Sequence, residues 1–91
     1  MSNVSVNIEI VKNAQAVCNE GIQDLNRVAA ALQSDYQQAG QGWQDSKYTQ
    51  LGGIVQECST AIKKPVQDLI ECLNKLKALE TALQEYESTS I

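Results

Sequence analysis

Residues 48–86 read YTQLGGIVQECSTAIKKPVQDLIECLNKLKALETALQEY, and the spacing of this stretch decides the fold. Alternating steps of three and four pick out Tyr48, Leu51, Val55, Cys58, Ile62, Pro65, Leu69, Cys72, Leu76, Leu79, Leu83 and Tyr86. Only Pro65 departs from an ordinary apolar or amphipathic core side chain. A three–four repeat held over this many turns lays one stripe along one long helix. Such a helix runs about 60 Å at 1.5 Å per residue. A chain of 91 residues can bury that stripe only against a second long helix.

That second helix is found upstream. Ile8, Val11, Gln15, Cys18, Ile22, Leu25, Ala29, Leu32 and Tyr36 repeat the spacing, with Gln15 the one polar interruption. Asn7 is a natural N-cap for a helix over 8–38. Ala39-Gly40-Gln41-Gly42 then offers two residues that tolerate left-handed backbone for a turn over 39–44. Asp45 or Ser46 can cap a second helix over 45–87. Gly52-Gly53 and Pro65 weaken that helix, and Pro65 should bend it. Because Tyr48 and Leu51 stay in phase with everything downstream, the helix is read as beginning before the glycines. A short turn forces the helices antiparallel. The fold class is therefore all-α, one helical-hairpin domain spanning residues 1–91.

Folding the chain symmetrically at Gln41 sets Leu32 beside Leu51, Ile22 beside Ile62, Cys18 beside Pro65 and Ile8 beside Leu76. Leu79, Leu83 and Tyr86 then overhang, with only Val4 and Val6 to meet them. Leaving such leucines in water is unfavourable by roughly 1.5–3 kcal/mol each. Further apolar or small residues flank the stripes. Ala14, Val17, Gly21 and Val28 lie on the first helix, and Ile54, Val66 and Leu73 on the second. A two-helix seam does not need that width, whereas a four-helix bundle does. These seven residues, with Leu79 and Leu83, form the expected interface with another hairpin, either a second copy or a relative.

Composition excludes several functions. A net charge of −4 without a basic run argues against nucleic acid. No apolar run is long enough to span a bilayer. The first residues have neither the basic region nor the apolar core of a conventional signal peptide, so any export is expected to use another route. Asn3-Val4-Ser5 matches a glycosylation sequon but is discounted on the same ground. There is no His, and the three cysteines, Cys18, Cys58 and Cys72, form no metal-ligand spacing. They read as small buried hydrophobes. No catalytic motif, cofactor or metal is expected, and the chain reads as a non-enzyme.

Trp43 reads as an aromatic cap on the turn, packing on Tyr36 and Tyr48, and also as a partly exposed anchor for a partner. Two antiparallel helices in about a hundred residues, with Trp43 in the turn, resemble the WXG (ESAT-like) family of small type VII secretion proteins. Where that family carries Trp-x-Gly, this chain has Trp43-Gln44-Asp45. Where it often carries Tyr-x-x-x-Asp/Glu, this chain has Tyr86 followed four residues on by Ser90. The related helical partners of LXG toxins also lack a strict Trp-x-Gly. The resemblance implies a secreted or cell-surface protein, cytoplasmic before export. It would pair as a homodimer, or as a heterodimer with a related hairpin or a toxin's N-terminal helical domain. It also implies a type VII secretion ATPase as partner, with Trp43, Asp45 and Tyr86 as the recognition residues. A cytoplasmic coiled-coil adaptor unrelated to secretion is the alternative reading.

Overall fold

The computed structural model describes residues 4–89, which form two helices and one turn. Helix α1 spans Val4–Ala39 and helix α2 spans Ser46–Thr89. They pack along each other as a helical hairpin measuring 71 × 17 × 13 Å. α1 begins at Val4, a turn earlier than Asn7 would cap it, so Asn7 lies inside the helix. Asn3 of the sequon and Ser90 beyond Tyr86 fall outside the described residues.

The seam on α1 follows the expected stripe. Ile8 and Val11 are buried, and Gln15, Cys18, Ile22, Leu25, Ala29, Leu32 and Tyr36 are half-buried. On α2 the inward set differs from the expected one. It runs Tyr48, Gly52, Val55, Ser59, Ile62, Val66, Leu69, Leu73, Leu76, Glu80 and Leu83, with Leu51, as expected, and Ile70 half-buried at its margins, while Cys58, Pro65, Cys72, Leu79 and Tyr86 are exposed. Both sets repeat every seven residues and share Tyr48, Val55, Ile62, Leu69, Leu76 and Leu83. They differ in whether the second member of each heptad follows by three or by four. At about 100° per residue, that choice turns the helix by about 50°. Two of the three cysteines, Cys58 and Cys72, therefore lie on the surface and not in the core; only Cys18 is partly covered.

The register also differs. Gly21 meets Leu69, whose Cδ1 lies 3.2 Å from where a Cβ on Gly21 would be. Gln15 Nε2 donates to Glu80 Oε1 at 2.7 Å, and Ser5 Oγ donates to Glu87 Oε2 at 2.9 Å. Compared with a symmetric fold at Gln41, α2 has slid along α1 by roughly two turns. The reason lies in the turn, which takes residues 40–45 and leaves Tyr36 against Gly52. The expected overhang is thereby removed. α1 reaches the end of α2, and Leu83 is half-buried; Leu79 and Tyr86 are exposed because they face outward.

The helices meet at the turn through two tyrosines. The rings of Tyr36 and Tyr48 stack with centroids 4.5 Å apart and planes 6° apart. Each ring also lies over a glycine across the hairpin, Tyr36 over Gly52 in α2 and Tyr48 over Gly40 in the turn. Tyr36 Cζ is 2.8 Å from where a Gly52 Cβ would sit, and Tyr48 Cζ is 2.8 Å from the same point on Gly40. Gly52 is therefore needed for room, which explains a helix-weakening residue at that place. Gly53, beside it, faces open space. No residue among those described adopts a left-handed φ, so Gly40 serves close approach and not the expected backbone reversal, while Gly42 faces open space.

Candidate functional site

A second apolar stripe lies outside the seam. On α1 it runs Ile10, Ala14, Val17, Gly21 and Val28; on α2 it runs Ile54, Cys58, Ala61, Pro65, Cys72, Leu79, Ala82 and Tyr86. Each stripe follows its own three–four spacing, about 100° round from the seam and in the same rotational sense seen from each helix's N-terminus. In an antiparallel pair that sense places both stripes on one broad side of the hairpin. Among the described residues, only Val6 of the large apolar side chains exposed on the helices lies elsewhere, directly away from the seam. Val17 is 66% exposed and Leu79 48%. The other broad side carries Lys12, Asn26, Gln33, Lys63, Gln67 and Lys77, and a shallow groove of about 380 Å³ runs along it at Asn26 and Lys63.

The face is not uniformly apolar. Asp24 interrupts it on α1, bonded to Arg27 at 2.7 Å; Asp68 interrupts it on α2, 3.2 Å from Lys64. These pairs are solvent-exposed and contribute little stability. Their effect is to set charge at fixed places on an otherwise greasy surface.

The expected interface residues divide between this face and the seam. Val17, Val28, Ile54 and Leu79 lie on the open face, with Ala14 and Gly21 half-buried along its margin. Val66, Leu73 and Leu83 turn into the hairpin and are corrected to seam residues, because the four-residue step carries them inward. Ile10, Cys58, Pro65 and Cys72 join the face without having been assigned to it. Their signal was the second heptad phase running through the same sequence.

At the turn, Asp45 has two structural roles. Its Oδ1 accepts from the N–H groups of Lys47 at 2.9 Å and Tyr48 at 3.2 Å, capping α2. The same oxygen accepts from Trp43 Nε1 at 2.7 Å. Trp43 packs obliquely on Tyr48, with centroids 6.0 Å apart, and remains 39% exposed. Of the two expected neighbours of Trp43, Tyr48 touches it directly, and Tyr36 stacks behind Tyr48. Tyr48 Oη donates to the Tyr36 carbonyl at 3.0 Å. Burial first, then hydrogen bonding to and charge interaction with Tyr36, raise the Tyr48 phenol above its ordinary pKa of 10.0.

Tyr86 lies at the opposite end of the hairpin, 61% exposed. It is separated from Trp43 by about 60 Å of helix. A single chain thus does not bring Trp43 and Tyr86 together. Among the described residues, no group of three or more His, Cys, Asp or Glu is placed to hold a metal ion. Likewise, no helix is long and apolar enough to cross a membrane. No known family, curated protein or solved structure matches the chain.

Proposed function

We propose that this chain is a non-enzymatic, WXG-like helical hairpin that works by pairing with another helical hairpin into a four-helix bundle. The observation that carries the pairing is how much surface the hairpin leaves uncovered. It exposes 6591 Å², against about 5,200 Å² for a compact monomer of its 9.9 kDa mass. Its radius of gyration is 20.6 Å, against about 12 Å for a compact chain of this length. Among the described residues four side chains, Ile8, Val11, Val55 and Leu73, are buried, and none of these is more than about nineteen-twentieths covered. The excess lies partly on the open apolar face, where a companion hairpin would cover it.

The link to type VII secretion rests on the resemblance, and on Trp43 being presented at the turn by Asp45. In this reading the protein is a secretion substrate, or the targeting partner of an exported toxin. An antiparallel companion would bring its own Tyr segment to the Trp43 turn, completing a recognition surface that one chain cannot build. The test is deletion of the type VII ATPase in the native host, followed by assay of the protein or its bound toxin in culture supernatant. Loss of export supports the reading and unchanged export overturns it.

One observation favours a cytoplasmic adaptor instead. Trp43 already has a structural role, bonded to Asp45 and packed on Tyr48, and so needs no docking function. That reading expects Trp43→Phe to leave the native complex intact, whereas the secretion reading expects the variant to be retained in the cell.

A further inference from the structure

We propose that the open face pairs with a second copy of this chain, α2 antiparallel to α2 about a twofold axis at Pro65–Val66, and that thiol oxidation closes this pair covalently through Cys58 of each copy and Cys72 of the other. The inference rests on the pairing proposed above and commits it to one partner and one geometry.

An isologous interface must be self-complementary, because each residue meets the image of another on the same surface. The outer stripe of α2 has this property. Cys58 and Cys72 lie seven residues before and after Pro65. Ile54 and Leu79, the large aliphatic side chains exposed on that stripe, lie twelve residues before Val66 and thirteen after it. The charges obey the same reversal. Lys64 and Asp68 lie two residues either side of Val66, Glu57 and Lys75 nine, and Lys47 and Glu85 nineteen. One axis therefore sets Lys47, Lys64 and Lys75 level with Glu85, Asp68 and Glu57 of the second copy, and Ile54 level with its Leu79. A parallel arrangement would stack like charges on like along the same line.

The middle of the stripe is also shaped for close approach. Ala61, Pro65 and the two cysteines are small and exposed, so two backbones can come together there. Within one chain Cys58 and Cys72 are about 21 Å apart along the helix, far beyond a disulfide's Cα separation of about 4.4–6.8 Å. Across the axis they are opposite each other.

The chemistry needs an external oxidant, here a low-molecular-weight disulfide such as oxidised glutathione. The thiolate of Cys58 attacks it, forming a mixed disulfide and releasing one small thiol. Cys72 of the second copy then displaces the other small thiol and forms the protein disulfide. Two protein thiols are oxidised, one small disulfide is reduced to two thiols, and the two protons pass to them through solvent. Twofold symmetry gives two such bonds per dimer, and the closed geometry leaves no thiol of that pair for further growth.

The test uses the full chain with Cys18→Ala throughout, so that the seam cysteine takes no part. Sedimentation under reducing conditions should give a mass twice the 9.9 kDa chain. After oxidised glutathione, a non-reducing gel should show one dimer band and no ladder. Cys58→Ala alone and Cys72→Ala alone should each lose that band, and mixing the two variants should restore it, since each supplies the thiol the other lacks. A ladder of higher species, or a dimer band from either single variant alone, would overturn the geometry. So would a non-covalent dimer that oxidation leaves unlinked. A reduced protein that sediments as a monomer would instead remove the pairing on which the inference stands.

Discussion

The two ends of the hairpin are held by different physics. At the turn, the fit is one of shape: Tyr36 and Tyr48 stack, and each ring fills the space left by a glycine across from it. Toward the open end the helices are aligned by polar atoms, with Gln15 reaching Glu80 and Ser5 reaching Glu87. Shape holds an end tightly but gives no warning in a hydropathy pattern. A polar pair adds little net stability, yet it penalises every register that leaves either partner dry and alone.

This contrast is most strongly broken at the turn. Gly52→Val should displace the Tyr36 ring and cost about 2–3 kcal/mol, as overpacking does; urea unfolding followed by circular dichroism would read it. At the other end, Gln15→Leu should cost about 1–2 kcal/mol by taking from Glu80 its partner on α1 and leaving it Gln84 alone, and adding Glu80→Leu should recover most of that. If the double variant is no better than the single one, Gln15 and Glu80 do not act as a pair.

Much of the fold was legible before the structure, and the misses have a common cause. The α1 stripe and the single reversal followed directly from periodicity, since no other partner exists for so long a helix. On α2 two heptad phases are superimposed, and the wrong one looked better. It carries Cys58, Cys72, Leu79 and Tyr86, while the inward phase contains Gly52, Ser59 and Glu80. Polarity inside a seam counts against a stripe until its partner is known. Gln15 and Glu80 are each other's explanation, and pairing them would have given the register; pairing the loop ends symmetrically did not. Gly52 and Gly53 look alike in sequence, and only the Tyr36 ring tells them apart.

Smaller effects sharpen the same comparison. Asp45→Ala should cost about 1 kcal/mol through the lost cap. It should also alter the Trp43 emission, because the indole N–H loses its acceptor. Gly53→Ala should stabilise by up to about 1 kcal/mol, since it meets nothing and favours helix. The turn should also weaken in alkali. Tyr48 holds its proton more firmly folded than unfolded, so its contribution is intact below pH 10 and lost as the pH rises through the raised value. Comparing Tyr48→Phe with the parent from pH 8 to 11 would isolate that loss.

The placement of Trp43 has a practical consequence. It is the only tryptophan in the chain and sits beside the stacked tyrosines, so its fluorescence reports one end of a rod 71 Å long. Circular dichroism averages over both helices. If the rod melts from its open end first, ellipticity will fall while emission holds steady, and the two curves will separate. Coincident curves would mean that a structure this thin still unfolds as a single cooperative unit.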